Sequence, residues 1–186
     1  MIRMRAGLVA FLAVLALGGC TGMPEGVVPV DGFRLEHYLG TWHEIARLDH
    51  SFERGLTAIT ATYSPRDDGG IDVLNQGWDT EQGLWRKARG RAYFIGNPDT
   101  ASLKVSFFGP FYGGYHVFAL DPDYGWALVS GPSRDYFWIL ARQPELPPDV
   151  LSGLMERARR AGFDTDGLIF PTSGASPASG EQRPHQ

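Results

Sequence analysis

The feature that most constrains the fold is a series of eight short runs in which apolar and polar residues alternate. Such alternation is typical of β-strands that have one buried face. Turn signals rich in Gly, Pro and Asp separate the runs, as at residues 66–70 and 97–99. Eight antiparallel strands in sequence order close into a barrel without exposed edges. We therefore predict an all-β fold, an eight-stranded up-and-down antiparallel barrel with strands at residues 42–48, 57–64, 71–78, 84–95, 102–107, 115–120, 126–130 and 136–141.

The apolar period changes after the eighth run. Between residues 148 and 161 the apolar side chains recur at helical spacing. Pro148 suits the first position of a helix and Gly162 suits the residue that ends it. We predict one C-terminal α-helix packed on the outside of the barrel, followed by an extended run at residues 167–170 that docks as an extra strand.

The N-terminus has the three parts of a bacterial export signal. Arg3 and Arg5 precede an apolar stretch at residues 7–17, which is too short to span a bilayer. The stretch ends at Cys20, the only cysteine of the chain, in a sequence that resembles a lipobox. That resemblance implies cleavage before Cys20 and attachment of a diacylglycerol and an N-acyl group such as palmitate, and several acyl chains anchor a protein stably.

This interpretation divides the chain into four parts. Residues 1–19 are the signal peptide, 20–31 a lipidated tether, 32–170 the barrel with its helix, and 171–186 a disordered tail without apolar periodicity. Because no Asp follows Cys20, bacterial sorting rules imply the outer membrane. The net charge of −4 becomes more negative once the two leader arginines are removed. Such a chain is not expected to bind nucleic acid, and with one cysteine it forms no internal disulfide.

Three ordered motifs resemble those of the lipocalin family. A Gly-x-Trp motif stands at the first strand, an Asp-Pro-Asp-Tyr turn precedes the seventh, and an arginine follows the eighth. The structural motif residues are Gly40, Trp42, Asp121, Asp123, Tyr124 and Arg142. The stretches at 52–55, 104–115 and 135–140 are similar to bacterial outer-membrane lipocalins of the apolipoprotein D-like type, so the resemblance covers residues 32–170. It implies that Trp42 and Arg142 stack at a closed barrel end and bind no ligand.

The same resemblance implies that the barrel holds a fatty acid or a lysophospholipid, in envelope lipid storage, transport or repair. An eight-stranded barrel has room for one small ligand. Counting alternate residues from Trp42 and Arg142 also directs Glu44, Ala46, Val73, Ala88 and Leu140 inward. The predicted ligand contacts are Ala61, Tyr63, Asn75, Val105, Phe107, Tyr115, Val117, Tyr136 and Trp138. In the alternative interpretation these side chains fill the barrel, and the chain is a structural or interaction lipoprotein.

Other chemistry is not expected. His43-Glu44 begins a zinc-protease motif, but Arg47 stands where the second histidine is required. Asp121 and Asp123 begin a calcium loop that no Glu completes. Without a nucleophile and base at catalytic spacing, we predict no enzyme activity, no metal and no cofactor. An exposed aromatic loop at residues 108–112 leaves a homodimer as an open alternative.

Overall fold

The computed structural model describes residues 21–171. Cys20 with its predicted lipidation, the predicted signal peptide and residues 172–186 of the predicted disordered tail lie outside the described residues. Two helices and eight strands follow one another in the order α1, β1 to β8, α2. Their bounds are α1 Leu35–Tyr38, β1 Gly40–Arg47, β2 Leu56–Pro65, β3 Ile71–Asp79, β4 Leu84–Phe94, β5 Ser102–Phe108, β6 Phe111–Leu120, β7 Trp126–Ser130, β8 Phe137–Ala141 and α2 Pro148–Arg160.

The eight strands close into one barrel in sequence order. Each strand pairs antiparallel with the next, and β8 pairs with β1. The predicted up-and-down barrel is therefore confirmed. Two details were not predicted. The one-turn helix α1 precedes β1, and β6 begins at Phe111 directly opposite Phe108, which makes a tight hairpin of the segment predicted as a bend.

A bulge in β1 reverses the predicted orientation of Ala46. Glu44 is paired with Leu140, but the register then shifts, so that Ala46 pairs with Ile139 and Arg47 with Trp138. Paired residues of an antiparallel ladder point to the same face. Ala46 consequently joins the apolar cluster beneath α2, and the prediction that it points inward is wrong. The bulge instead places Arg47 on the face that carries Trp138.

Two apolar clusters hold the fold together. One lies outside the barrel, where Leu154 and Ala158 of α2 cover β-strand residues such as Phe137 and Ile139. Burying a leucine side chain contributes about 1.5–3 kcal/mol, so this contact fixes the helix on the wall as predicted. The other cluster fills one end of the barrel interior around Trp42.

Both chain ends of the described region lie against the barrel. Val27 is buried beneath α2, and the Val30 amide donates to the Val117 carbonyl at 2.9 Å. After α2, Ile169 forms a single β-bridge with Arg47, so the extended run docks through one bridge rather than a full strand. Among residues 21–171, no helix has the length and apolar character needed to cross a membrane.

Candidate functional site

The end of the barrel nearest α1 is closed by a stacked tryptophan and arginine. The Arg142 guanidinium lies 4.0 Å from the centre of the fully buried Trp42 ring. It also donates to the carbonyls of His37 at 2.7 Å, Leu39 at 2.9 Å and Thr41 at 3.0 Å. Those carbonyls belong to α1, to Leu39 directly after it and to the start of β1, so the arginine ties the plug to the barrel wall. The predicted stack is present.

Gly40 makes this close approach possible. Its φ of +92° lies in the left-handed region, and a Cβ atom there would lie 3.4 Å from Arg142 Nη1. A side chain at this position would strain the backbone because of the positive φ, and its Cβ would lie in van der Waals contact with the guanidinium. The Gly-x-Trp motif is therefore a structural device of the barrel base.

The turn before β7 supports the same base. Asp121 accepts a hydrogen bond from the Gly125 amide at 2.9 Å and so closes the turn on itself. The hydroxyl of Tyr124 accepts from the Arg34 amide at 2.9 Å, and its ring lies 6.3 Å from that of Phe33. Asp123 lies exposed in the turn. The second motif thus holds the segment that leads into α1.

Three tyrosine hydroxyls meet above the plug. Tyr115 lies 2.7 Å from the hydroxyl of Tyr38 and 2.8 Å from that of Tyr63. Burial raises the pKa of all three phenols, so they remain neutral hydrogen-bonding groups. Two of the predicted ligand contacts, Tyr63 and Tyr115, therefore share a polar layer between the packed end and the rest of the barrel.

Beyond this layer the inner wall is accessible. Cross-strand pairing places Ala61, Asn75 and Ala88 in one row of the inner face. Ala88 is exposed, although its row belongs to the inner face. The side chains that are only partly buried here are Ala61, Asn75, Val105, Phe107, Tyr136 and Trp138, six of the nine predicted ligand contacts.

Gly113 marks open space in this half. It is paired with Val105, whose side chain packs against the interior cluster, so a Cβ on Gly113 would point to the same face. That Cβ would meet no atom within 4 Å among the described residues. At another inner position, where β4 pairs with Val73 of β3, a Cβ on Gly90 would by contrast lie 2.8 Å from the Phe107 ring. The inner wall is therefore packed at one glycine and open at the other.

A buried charged cluster lies where β1 meets the following loop. Arg47 donates to the Glu44 carboxylate and to the Glu53 carbonyl, both at 2.9 Å. The Trp138 indole N–H donates to Glu53 Oε2 at 3.3 Å, and His50 Nε2 lies 3.0 Å from the same oxygen without hydrogen-bond alignment. Sequence reasoning missed Arg47, His50 and Glu53. Their only signal was a set of ionisable residues directly after an apolar strand.

Electrostatics make Glu44 the unusual member of the cluster. Burial raises the pKa of its carboxyl well above the ordinary value, and the nearby Glu53 carboxylate raises the pKa further. The Arg47 guanidinium acts in the opposite direction. One arginine between two buried carboxylates therefore holds the loop at residues 48–55 against the inner face of the barrel.

Not every predicted contact borders the accessible half. Val117 is fully buried in the packed end, and Tyr63 is almost so. Two depressions of about 500 and 290 Å³ lie elsewhere, one beside α1 and one beside the start of α2. Neither is lined by a predicted ligand contact.

The barrel, its closed base and its open half define a class of protein. Residues 33–173 match the family described as "Lipocalin-like domain", and the chain belongs to this lipocalin family. Insecticyanin from the tobacco hornworm Manduca sexta has the same fold, with a TM-score of 0.64, 21% identity and coverage of 81% of this chain and 86% of its own.

Relatives of higher identity are bacterial lipoproteins. Outer membrane lipoprotein Blc of Vibrio cholerae is 52% identical over 168 residues, 90% of this chain and 98% of its own length. The Blc protein of Citrobacter freundii is 56% identical over 147 residues, 79% and 83% of the two chains. Mouse apolipoprotein D is 32% identical over 158 residues, 81% and 80% of the two chains. The predicted family, the class of membrane lipoprotein with a lipid-binding barrel and the outer-membrane localisation are confirmed.

Proposed function

We propose that this lipocalin holds one fatty acid or lysophospholipid in the open half of its barrel and exchanges it with the envelope membrane for storage, transport or repair. The observation that carries the proposal is the open inner face at Gly113, surrounded by partly buried apolar side chains. An apolar pocket with a few polar groups is the usual character of a small-molecule site.

The chemistry of the wall suits a hydrocarbon tail with a polar head. Val105, Phe107 and Trp138 offer apolar surface, and each buried methylene contributes about 0.8 kcal/mol before ordering costs. The Asn75 carboxamide oxygen is buried without a hydrogen-bond partner in the described part of the chain. A buried polar atom of this kind calls for a partner, which the hydroxyl of a protonated acid or of a glycerol headgroup supplies. The proposed contacts are Ala61, Asn75, Val105, Phe107, Tyr115, Tyr136 and Trp138, without the fully buried Val117 and the almost fully buried Tyr63.

In the alternative, the protein's own side chains fill the barrel, and the chain is a structural or interaction lipoprotein that binds no lipid. The packed end around Trp42 shows what such filling looks like. In the half beyond the tyrosine layer, side chains such as Val105, Phe107 and Trp138 touch this cluster but stay partly exposed, which favours the ligand-binding proposal. We further propose binding without chemical conversion, a leader at residues 1–19, lipidation at Cys20 and a tether at 20–31 whose later part lies against the barrel. The predicted tail begins at residue 172 rather than 171, because Pro171 is buried. A homodimer stays a prediction.

The central test identifies what the purified protein carries. Mass spectrometry of the protein extracted from its native membrane is expected to find a fatty acid or lysophospholipid in near-stoichiometric amount. An empty barrel that also fails to bind an added fluorescent fatty acid supports the filled-barrel alternative. Turnover of a lipid ester by the purified protein contradicts binding without conversion.

A tryptophan pair provides the matched variants. Trp138→Ala removes a large apolar surface from the proposed site and is expected to weaken binding of a fluorescent fatty acid at least about tenfold, because truncating a buried aromatic costs more than 1.4 kcal/mol. Trp126 pairs with Ala141 and packs against the cluster beneath α2, so Trp126→Ala is the control. Equal affinities of the two folded variants would exclude Trp138 from the site.

A further inference from the structure

The open end of the barrel carries the two most exposed large apolar side chains of the described residues, Phe108 and Phe111. Four loops lie at this end, at residues 48–55, 80–83, 109–110 and 131–136, because strands alternate in direction and Trp42 marks the other end. Phe108 is 81% exposed, Phe111 78%, Phe52 59% and Trp85 42%. We call these four residues the aromatic rim. Clustered exposed apolar residues of this size mark an interaction surface.

A row of basic residues borders the rim. Lys87, Arg89 and Arg91 are exposed and alternate along β4, on the face opposite the inward Ala88. No ion pair is recorded for these three within residues 21–171. The Arg91 guanidinium reaches the hairpin tip, where a Cβ on Gly109 would lie 3.2 Å from it. We call these three residues the basic row. In a chain of net charge −4, this local positive charge complements an anionic surface.

The N-terminal segment leads the chain to the same end. Val30 is hydrogen-bonded to Val117, whereas Gly22 accepts from His116 Nε2 at 2.9 Å, directly beside Gly114. The segment therefore approaches the open end as it is followed back from residue 30 to residue 22. Gly114 is three residues from Phe111 along β6, a distance of about 10 Å. The proposed anchor residue Cys20 stands two positions before Gly22 in the sequence.

We propose that the aromatic rim and the basic row dock onto the anionic bilayer that holds the lipid anchor, so that the barrel mouth opens directly onto the leaflet. This inference rests on the proposed function for one premise, the lipid anchor at Cys20. The aromatic side chains enter the interfacial region and the basic row binds acidic headgroups. An acyl chain then passes between leaflet and barrel without crossing bulk water.

The test measures vesicle binding without the anchor. The mature chain from residue 20 with Cys20→Ser retains every described residue and is mixed with vesicles of phosphatidylethanolamine and phosphatidylglycerol. Co-sedimentation is expected, and Phe108→Ser with Phe111→Ser is expected to reduce partitioning at least about tenfold, as loss of two interfacial aromatic anchors predicts. Ile95→Ser alters a 37% exposed apolar residue of a loop at the closed end and is expected to leave partitioning unchanged.

The basic row has its own signature. Lys87→Gln with Arg89→Gln is expected to weaken binding to the phosphatidylglycerol vesicles about tenfold or more, with a weaker salt dependence, and to leave binding to phosphatidylcholine vesicles unchanged. Equal partitioning of wild type and all variants would overturn the proposal. A second result would also overturn the proposal: wild type is a dimer in ultracentrifugation, Phe108→Ser with Phe111→Ser is a monomer, and both bind vesicles equally. The aromatic rim would then be covered by a second copy of the chain.

Fatty-acid binding in solution separates this proposal from the proposed function. The rim and basic-row variants are expected to keep wild-type affinity for a fluorescent fatty acid, since none of these residues belongs to the proposed contacts. Loss of vesicle binding with retained fatty-acid affinity supports docking. A wild-type chain that binds vesicles in the rim-dependent manner but no fatty acid contradicts the proposed function and leaves docking in place.

Discussion

Gly113 offers the sharpest test of a hollow barrel, because a side chain added there enters space that the ligand is proposed to use. The four carbons of Gly113→Leu displace about three to four methylenes of an acyl chain, which at about 0.8 kcal/mol each is about 3 kcal/mol of binding free energy. That loss corresponds to about a hundredfold weaker affinity. Gly113→Ala, with one carbon, is expected to weaken affinity about fourfold by the same reasoning.

The assay is titration with a fluorescent fatty acid, accompanied by thermal unfolding of each variant. Because a glycine within a strand is unfavourable by about 0.5–1 kcal/mol, both variants are expected to be at least as stable as wild type. A graded loss of affinity without loss of stability would establish that the space is open and used. Unchanged affinity in Gly113→Leu would refute the reasoning, and strong destabilisation would show that the space is not open.

Three further outcomes test the rest of the structure. Arg142→Met is expected to lower the free energy of unfolding by about 3–5 kcal/mol, because it removes charged hydrogen bonds and the stack on Trp42. Chemical denaturation measures this free energy. A loss below about 1 kcal/mol would contradict a supporting role for Arg142 at the barrel base. Gly90→Ala is expected to be destabilising, since its Cβ would lie 2.8 Å from both the Phe107 ring and the Ser106 carbonyl oxygen, and wild-type stability would contradict tight packing at this position. Burial raises the pKa of the Glu44 carboxyl, so the folded state binds a proton at Glu44 more tightly than the unfolded state does. The stability that this proton contributes is present at acidic pH and is lost as pH rises through the raised pKa. Glu44→Gln is therefore expected to gain stability relative to wild type as pH is raised from acid to alkaline in a denaturation series, and a difference independent of pH would contradict the direction of the shift.

The sequence predicted the strands because each combines alternation with a clear turn signal. It did not predict the bulge in β1. Ile45 and Ala46 both lie in the cluster outside the barrel, and only the pairing with β8 shows that Arg47 is the next inward residue after Glu44. Helix α1 was also missed, because four residues are too few to display a helical period. Its place is fixed by the carbonyls that Arg142 binds.

The site divides in the same manner. Alternation from Trp42 found the inward residues of the paired strands, including Ala61, Asn75 and Val105, because register carries that information. The charged cluster was not found, since Arg47 reaches the inner face only through the bulge and Glu53 comes from a loop without periodicity. The burial of each inward residue depends on how α1 and Trp42 pack into the barrel end. The residue pattern of a single strand holds no information about that packing.

The tyrosine layer stands between a fully buried end of the barrel and a half whose side chains stay partly exposed. Mutations near the mouth can therefore accumulate at little cost to folding, whereas those beneath the layer are penalised. Chain-length preference is then free to diverge between species by single exchanges at positions such as Gly113. For protein engineering, the packed end of the barrel is a stable scaffold, and residues near the mouth can be varied to select a new binding specificity.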